Sequence, residues 1–477
     1  MVSSVDRMVN QNATYPTRRR EGLCWLYYRI MGNRQALNFE EVLIPSHEAD
    51  FKGKSRGAVM PIFVNRLIVG MAFCLLSHSA NAQIAGMGLP EGDGKEGVEA
   101  ACVMCHGIGK ITSSSGYTKE GWAALSSTMI DLSHDPELHN KIMGYLAKHY
   151  PPNTSRAAKL LAGDAHVEFK EWQVPTLGQR PRDPVESADG SIWWVGQWGN
   201  IMGQLNPLTG VMQEYALPEN AKPHSVTIDK AGNAWYTGNK NGTIGKLDPS
   251  SGEITVFKMP DPAARDPHTA VFDSNGVLWF TLQHSNMIGR LKPETGDIKL
   301  VTMRTQGSKP YGIKVDAEGA LWVACNGSNC LVRVDPLTME IEEFKLPIPQ
   351  TTVRRLDIDS KGMIWYVNSS QGRLGRLNPQ TGKVKEWPSP SGPKSHPYAL
   401  AVIDDIVWYN ESGVRPDPLV RFDPTTEKFQ SWAIPSGKIY AGIARHIRPT
   451  RDGDLLIHQT STNRIIRVKL QSSSRNN

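Results

Sequence analysis

The chain has 477 residues, about three times the roughly 150 residues of a typical domain, so its length indicates two or more folding units. Hydrophobic residues make up 39% and charged residues 21% of the chain, a composition too apolar for a disordered protein. The formal charge is +6, but residues 1–82 contain 10 Lys/Arg and 6 Asp/Glu, which leaves +2 for the remainder. So small an excess of basic residues does not support binding to nucleic acid.

A secretory signal peptide is predicted over residues 60–82, which read MPIFVNRLIVGMAFCLLSHSANA. One arginine precedes an apolar run over residues 67–76, and the segment ends in the small-x-small sequence Ala-Asn-Ala. This run is too short to cross the roughly 30 Å hydrocarbon layer, and no later segment has 18 consecutive apolar residues, so we expect no membrane span. We expect cleavage after Ala82 and a periplasmic or secreted protein.

The position of this signal bears on the start of translation. A signal peptide belongs at the N-terminus of a chain, yet residues 1–59 precede this one. We therefore expect Met60 to be the initiator and residues 1–59 to be an upstream extension outside the protein. The alternative is a genuine cytoplasmic extension.

Residues 102–106 carry the C-x-x-C-H arrangement that attaches haem in c-type cytochromes. Cys102 and Cys105 are spaced to form thioethers with the two vinyl groups of the porphyrin, and His106 follows as an axial ligand of the iron. A thioredoxin-like pair needs a βαβ setting, and a zinc site needs two further ligands, neither of which the flanking sequence offers. The sequence therefore predicts covalent haem c.

Two helical patterns follow this motif, over residues 118–132 and 135–149, with apolar residues at three-to-four spacing. We therefore expect a small all-α, cytochrome c-like domain over residues 83–155. The second axial ligand is open. Met129 is favoured by a resemblance to single-haem domains with a similar GW…M…YL pattern, whereas Met143 lies in an apolar stripe typical of core. Bis-histidine ligation through one of the later histidines is a further alternative; these are His134, His139 and His149.

From Pro184 onward the chain repeats a unit of about 43 residues. Its most regular column is a tryptophan after an Asp-x-x-Gly turn, at Trp193, Trp235, Trp279, Trp322, Trp365 and Trp408, with Leu456 in the last copy. A period in the forties with four short strands per unit is typical of a β-propeller, and seven copies predict seven blades over residues 166–470. The last copy lacks a fourth strand, so we expect residues 166–175 to supply it and close the ring. Residues 151–155 are then a linker.

Two cysteines lie within this array, Cys325 and Cys330, on either side of a turn-rich sequence in a predicted hairpin. In an oxidising compartment they are a candidate disulfide. Two buried thiols are equally compatible with the sequence.

The repeat columns Pro-His-x-(Val/Ala), Gly-x-x-Trp-(Phe/Tyr) and Asn-x-x-Gly-(Arg/Lys) resemble those of the virginiamycin B lyase, or streptogramin lyase, family of seven-bladed propellers. The resemblance covers roughly residues 166–470 and excludes the haem segment. It implies a Mg²⁺-assisted elimination that linearises a cyclic depsipeptide. In that family a histidine at the start of an inner strand acts as base, nearby acids hold the metal, and a histidine one blade earlier touches substrate.

Transferred to this chain, the resemblance makes His268 and His224 the candidate catalytic pair and Asp266 a candidate Mg²⁺ ligand. The carboxylate expected after Trp279 is missing. Glu411 follows Trp408 in another blade, where the histidine column is a tyrosine. The complete set of family residues is therefore not present in one pair of blades.

The residues at the starts of the inner strands should converge on one mouth of the central channel. They are cationic and aromatic, which suits a polar or anionic small molecule, although such side chains at a channel rim are also often solvated or paired. The expected substrate-binding residues are His224, His268, Tyr311, Arg354 with Arg355, Tyr398, and Arg445 with His446.

Three functional hypotheses follow from the fusion of a haem motif to a lyase-like propeller. In the first, the propeller binds a substrate or redox partner protein and the haem exchanges electrons with it. The second is a Mg²⁺-dependent lyase to which the haem segment is an appendage. The third is a non-enzymatic binding or sensor protein.

Overall fold

A computed structural model describes residues 88–103, 107–112, 114, 116–153, 156–438 and 444–471. Within these ranges the chain forms a group of short helices followed by a seven-bladed β-propeller. In the same ranges no helix combines the length and apolar character needed to span a membrane. The predicted signal peptide, its cleavage site and residues 1–59 lie outside the described residues.

Among the described residues, four helices precede the propeller: α1 (Lys95–Ala101), α2 (Gly109–Thr112), α3 (Lys119–Ser126) and α4 (Pro136–His149). They enclose a separate apolar core in which Trp122, Ile142 and Leu146 are buried. Thr118 caps α3 by accepting from the Gly121 N–H, and Asp135 caps α4 in the same way.

Helix α3 ends at Ser126, six residues before the predicted end of the pattern at residue 132. The hydroxyls of Ser126, Ser127 and Thr128 each donate to a carbonyl three residues earlier. Such local bonds compete with the helical ladder, which explains why the apolar periodicity outlasts the helix.

Each blade of the propeller is a four-stranded antiparallel sheet, as the repeat predicts. The strands of each blade are given from the channel outward. Blade 1 consists of β2 (Pro181–Glu186), β3 (Ile192–Gly196), β4 (Ile201–Leu205) and β5 (Met212–Ala216), and blade 2 of β6 (Val226–Ile228), β7 (Ala234–Gly238), β8 (Thr243–Leu247) and β9 (Ile254–Lys258). Blade 3 consists of β10 (Pro267–Phe272), β11 (Leu278–Leu282), β12 (Met287–Lys292) and β13 (Asp297–Thr302). Blades 4 and 5 consist of β14 (Pro310–Val315), β15 (Leu321–Cys325), β16 (Cys330–Val334) and β17 (Ile341–Lys345); and β18 (Val353–Ile358), β19 (Ile364–Asn368), β20 (Arg373–Leu377) and β21 (Val384–Pro388).

Blade 6 consists of β22 (Pro397–Ile403), β23 (Ile406–Glu411), β24 (Pro418–Asp423) and β25 (Lys428–Ala433), followed by a 3₁₀ turn over Pro435–Lys438. Blade 7 combines β26 (Arg448–Pro449), β27 (Leu455–Gln459) and β28 (Arg464–Gln471) with β1 (His166–Gln173), which comes from the start of the array. Strand β1 pairs with β28 over its whole length and completes the outer edge of this blade.

The Asp-x-x-Gly-x-x-Trp sequence has the same structural explanation in blades 2 to 5. In blade 2 the Asp229 carboxylate accepts from backbone N–H groups of its own turn and from the indole N–H of Trp235 at 2.8 Å. Gly232 takes a positive φ of 88°, which a side chain disfavours. The tryptophan is 1% exposed and packs between blades, so the motif builds the core and leaves the ring mouth free for other residues.

Glycine in the third strand is required by close packing. A Cβ built on Gly289 would lie 2.2 Å from the Phe280 ring, and the same relation holds for Gly245 and Tyr236. The aromatic residue after the tryptophan therefore lies flat against the third strand.

Candidate functional site

The inner strands all begin on one face of the propeller, which we call the upper face. One residue at the start of each inner strand, or just before it, belongs to what we call the mouth ring, whose seven members are Arg182, His224, His268, Tyr311, Arg354, Tyr398 and Arg445. Ring contacts join neighbours directly, with centroid distances of 3.5 Å between His224 and His268 and 4.0 Å between His268 and Tyr311. The residues that follow them along the chain form the lower layer, which includes Asp183, Thr269, Arg355 and His446.

The structure brings the sequence-predicted residues of the mouth together: His224, His268, Tyr311, Arg354, Tyr398 and Arg445 are in the ring, with Arg355 and His446 beneath it. Sequence reasoning missed Arg182, which occupies the ring position of blade 1. The signal was present, because Pro181 precedes Arg182 as a proline precedes His224 and His268.

The histidine half of the ring is buried and neutral. His224 and His268 are 4% and 3% exposed. The Nδ1 atom of His224 lies 3.2 Å from the His268 carbonyl oxygen, and that of His268 lies 2.9 Å from the Thr269 hydroxyl. Burial lowers the pKa of both imidazoles well below its usual value, and nearby guanidinium groups lower it further.

The opposite half of the ring joins two tyrosines to two arginines. The hydroxyls of Tyr311 and Tyr398 hydrogen-bond to each other across the channel. Arg445 donates to the Tyr398 oxygen at 3.0 Å and Arg354 at 3.4 Å. Burial raises the pKa of a phenol, and this is the case for Tyr311. At Tyr398 the charges of Arg445, Arg354 and Arg182 outweigh burial and lower the pKa to about 7.

Arg355 closes the channel below the ring. Its guanidinium donates to the Arg445 carbonyl at 3.0 Å and to the Thr269 hydroxyl at 2.9 Å, and it lies 3.7 Å from the Asp183 carboxylate. These contacts reach three other blades, so Arg355 forms a floor beneath the mouth ring; we call the ring and this floor together the cup. Asp183 also pairs with His446 at 3.1 Å; burial opposes ionisation, but these two partners hold the pKa of this carboxyl well below its usual value.

Positive charge dominates this cup. The ring holds three guanidiniums and no carboxylate, and Arg180 stacks on Trp198 beside it at 4.7 Å. Burial and the neighbouring cations lower the pKa of Arg180 to about 8. Each ring arginine also has a buried Nε–H without a partner among the described residues. An anion at the mouth would satisfy both the charge and the unused donors.

The carboxylate of Asp266, the predicted Mg²⁺ ligand, is hydrogen-bonded within its own blade. It accepts from the backbone N–H groups of His284 and Ser285, at 2.7 and 3.2 Å, and from the Ser285 hydroxyl. The equivalent position in other blades is held by cations such as Lys222, in the same left-handed backbone conformation, so this column is a turn position. Among the described residues no three His, Cys, Asp or Glu side chains are grouped to hold a metal ion. The residues present therefore do not fit Mg²⁺.

The structure also places Glu411 and the two cysteines of the repeat array. Glu411 is fully buried and accepts from the Ser391 N–H at 3.1 Å, so it caps a loop between blades 5 and 6. Cys325 and Cys330 are free thiols, which is one of the two alternatives that the sequence leaves open. They end adjacent strands, and the side chain of Cys330 interacts with Cys325 and lies 3.2 Å from the Ser328 hydroxyl, so both sulfur atoms are accommodated as buried polar groups.

Of the haem-motif residues the structure describes only Cys102; Cys105 and His106 lie outside the described residues. Cys102 follows α1 and packs, half-buried, against the same helical core as Met129. Met143 is fully buried, and its sulfur accepts from the Ser126 hydroxyl at 3.7 Å, so it belongs to the core.

The segment after α3 contacts the upper face of the propeller. The Gly178 N–H donates to the Thr128 carbonyl at 3.0 Å, and the Thr128 hydroxyl donates to the Ser461 carbonyl at 3.1 Å. Gly178 lies in the loop that leads to Arg180 and Arg182, and a Cβ built there would lie 3.0 Å from the Met129 carbonyl. The helices that follow the haem motif thus touch the loop that supplies part of the mouth.

The fold is that of a seven-bladed β-propeller, and it gathers polar and cationic side chains at one mouth of the channel. The chain belongs to the virginiamycin B lyase family, whose model matches residues 153–334 and 298–476. The helices lie before these ranges. No curated protein matches the sequence of this chain.

Three solved structures similar to this chain are those of virginiamycin B or streptogramin B lyases. Selenomethionine-substituted virginiamycin B lyase from Staphylococcus aureus is 25% identical, with a TM-score of 0.58, and the match covers 64% of this chain and 100% of that one. A catalytically inactive histidine-to-alanine variant of that enzyme, in a structure with quinupristin, is 26% identical, with a TM-score of 0.57 and the same coverage. A streptogramin B lyase is 24% identical, with a TM-score of 0.58 over 64% of this chain and 98% of its own, and supports the fold.

Proposed function

We propose that this protein is an exported enzyme of the lyase type that binds an anionic small molecule in the cup of its mouth ring. The observation that carries the proposal is the arrangement of Arg182, Arg354 and Arg445 around one buried tyrosine pair, with no carboxylate in the ring. Family membership supports elimination as the chemistry, because the related propellers are lyases. The structure of a relative with quinupristin makes that compound the one with which to test elimination itself, separately from anion binding.

The elimination differs from the one that the family resemblance implies, because no set of the described residues fits Mg²⁺. The neutral imidazoles of His224 and His268 lie in the ring wall, and guanidinium groups stand where a developing oxyanion needs donors. Arginine here takes the electrostatic role that a metal would otherwise have. We expect quinupristin turnover, if measured, to be insensitive to chelators.

Anion binding is the most direct test. Sulfate, a dianion at all pH values of interest, is titrated into the purified protein by calorimetry at low ionic strength. Arg354→Ala or Arg445→Ala should weaken binding about tenfold or more, because each removes a charged hydrogen bond worth about 1.5–3 kcal/mol. Arg333→Ala, on the third strand of blade 4, is the matched control. The proposal is rejected if the unmodified protein does not bind sulfate, or if it and the three variants bind sulfate with equal affinity.

A second proposed function is electron exchange between covalent haem and the propeller mouth. The contact of Thr128 with both Gly178 and Ser461 favours it, because it attaches the motif-bearing helices to the upper face. Cys102 and Met129 share one core and fit haem on that side, with Cys105 and His106 completing the motif. The haem would supply a one-electron couple, and the chain would bind its substrate or a redox partner protein nearby.

The haem proposal is tested by intact mass and by a reduced-minus-oxidised visible spectrum of protein exported from a host that matures c-type cytochromes. We expect a mass that begins at Gln83 and includes one haem, and a reversible spectrum. Cys102→Ser with Cys105→Ser should lose the covalent haem, and Met129→Leu should change the axial-ligand signature while Met143→Leu does not. An exported chain without haem contradicts this function and leaves the anion-binding proposal standing.

A further inference from the structure

The phenolic oxygen of Tyr398 is the meeting point of three hydrogen-bond partners. Arg445 and Arg354 donate to it at 3.0 and 3.4 Å, and the Tyr311 hydroxyl contacts it from across the channel. The same two guanidiniums lie over its ring, 5.3 and 4.6 Å from the centroid. Because a guanidinium has donors only, both must use lone pairs of this oxygen.

Among the described residues, the groups that surround Tyr398 at the level of the ring are cationic or neutral. Blades 7, 5 and 1 present Arg445, Arg354 and Arg182, with Arg180 beside them; blade 4 presents Tyr311; and His396 lies 5.9 Å away on its own segment. Burial lowers the pKa of His396 to about 4, so it is neutral at pH 7. The carboxylate of the lower layer, Asp183, is paired with His446 and Arg355.

The two tyrosines are not equivalent, although they are hydrogen-bonded. Tyr311 packs against the His268 ring at 4.0 Å and has one ring arginine, Arg445, as a hydrogen-bond partner, whereas Tyr398 receives hydrogen bonds from two, Arg445 and Arg354. The environment therefore favours the negative charge on Tyr398 and the shared proton on Tyr311.

We propose that Tyr398 ionises to a phenolate, held by Arg445 and Arg354, and is the proton acceptor of the mouth ring. This inference rests on the proposed function, since its substrate is the anionic molecule held by the ring arginines, with a hydrogen on the carbon next to its carbonyl. In the elimination Tyr398 takes that hydrogen as a proton, and the C–H electron pair becomes the new C=C bond. The bond from the adjacent carbon to the leaving group breaks, and that group departs with its electron pair as an anion. Arg354 and Arg445 then face the new charge.

The ionisation is tested on the full-length, exported protein labelled with ¹³C at the tyrosine Cζ position. At pH 8 we expect one downfield signal typical of tyrosinate, absent in Tyr398→Phe and present in Tyr409→Phe. Tyr409 is the matched control, because it is also buried but its pKa is raised. If every tyrosine signal is neutral at pH 8, the inference is wrong.

A second measurement shows whether this phenolate faces the ligand, and serves if Tyr398→Phe does not fold. Bound sulfate should raise the pH at which the downfield signal titrates, and sulfate should bind more tightly as pH falls through that midpoint. Tyr311→Phe should raise the same midpoint, because it removes one hydrogen bond to the anion. A midpoint indifferent to bound sulfate overturns the role as acceptor. Loss of sulfate binding with the downfield signal retained would instead overturn the proposed function.

Discussion

Asp183 is the side chain on which the charge balance of the lower layer depends. It is fully buried and pairs with His446 and Arg355, and the latter crosses the channel. Asp183→Asn keeps the shape but leaves buried Arg355 without its counterion. We expect the free energy of unfolding to fall by about 3–5 kcal/mol, measured by denaturant titration. Asp297→Asn, at the exposed start of β13, should change it by less than about 0.5 kcal/mol. Equal stability of the two variants would contradict this account.

Buried histidines predict a second residue-scale property, sensitivity to mild acid. Burial lowers the pKa of four imidazoles in and below the ring: His224, His268, His446 and His458. Below the ordinary histidine pKa of about 6.5 the unfolded chain binds protons that the folded chain does not, so stability is lost as pH falls. We expect up to about 1.4 kcal/mol per pH unit for each histidine, from unfolding curves between pH 7 and 5. A flat profile would refute the prediction.

The sequence predicted most of the ring but not its first member. A proline before the ring position and the regular period locate six of its residues without coordinates. The repeat pattern did not identify Arg182 and Asp183 as site residues, because the first recognisable repeat begins at Pro184. In addition, β2 contains a register shift between Arg182 and Val185. The pairing of Asp183 with blades 5 and 7, and of Tyr311 with Tyr398, joins residues distant in the chain that no periodicity relates.

At the scale of the strand, the third-strand glycines can be tested by substitution. Gly289→Ala would place a methyl group 2.2 Å from the Phe280 ring and should destabilise the protein by about 1–3 kcal/mol in thermal unfolding. The double variant with Phe280→Leu should lose less than the two single changes together. Gly144→Ala in α4, where the added Cβ meets nothing within 4 Å, should instead stabilise by about 0.5–1 kcal/mol. If the double variant loses as much stability as the Gly289→Ala and Phe280→Leu variants together, a direct clash between the two side chains is contradicted.

The strand is also the scale at which sequence reasoning was strongest. The Asp, Gly and Trp columns mark turns and inter-blade core, each enforced by local hydrogen bonds such as that from Trp279 to Asp273 at 2.9 Å. The predicted end of helix α3 was too late. The apolar pattern does not show that side-chain hydroxyls at the end of the helix compete for its backbone carbonyl groups.

At the scale of the whole molecule, β1 is the part that turns a row of sheets into a ring. A chain that begins after Gln173 would leave blade 7 with three strands and an unpaired β28 edge. We expect such a chain to have a lower melting temperature and to associate on a sizing column. A control that begins at residue 158 keeps β1 and should remain a monomeric ring if the helices are not needed for closure. Equal melting temperatures for both chains would show that the pairing contributes little.

The pairing of β1 with β28 also determines how the ring would respond to tension. His166 lies opposite Gln471, so the two chain ends leave this ladder side by side. A force applied between them would peel the strands apart one backbone pair at a time, rather than shear all eight residues of the ladder at once. The propeller should therefore be mechanically weak at this seam, although heat must disrupt every blade interface to unfold it.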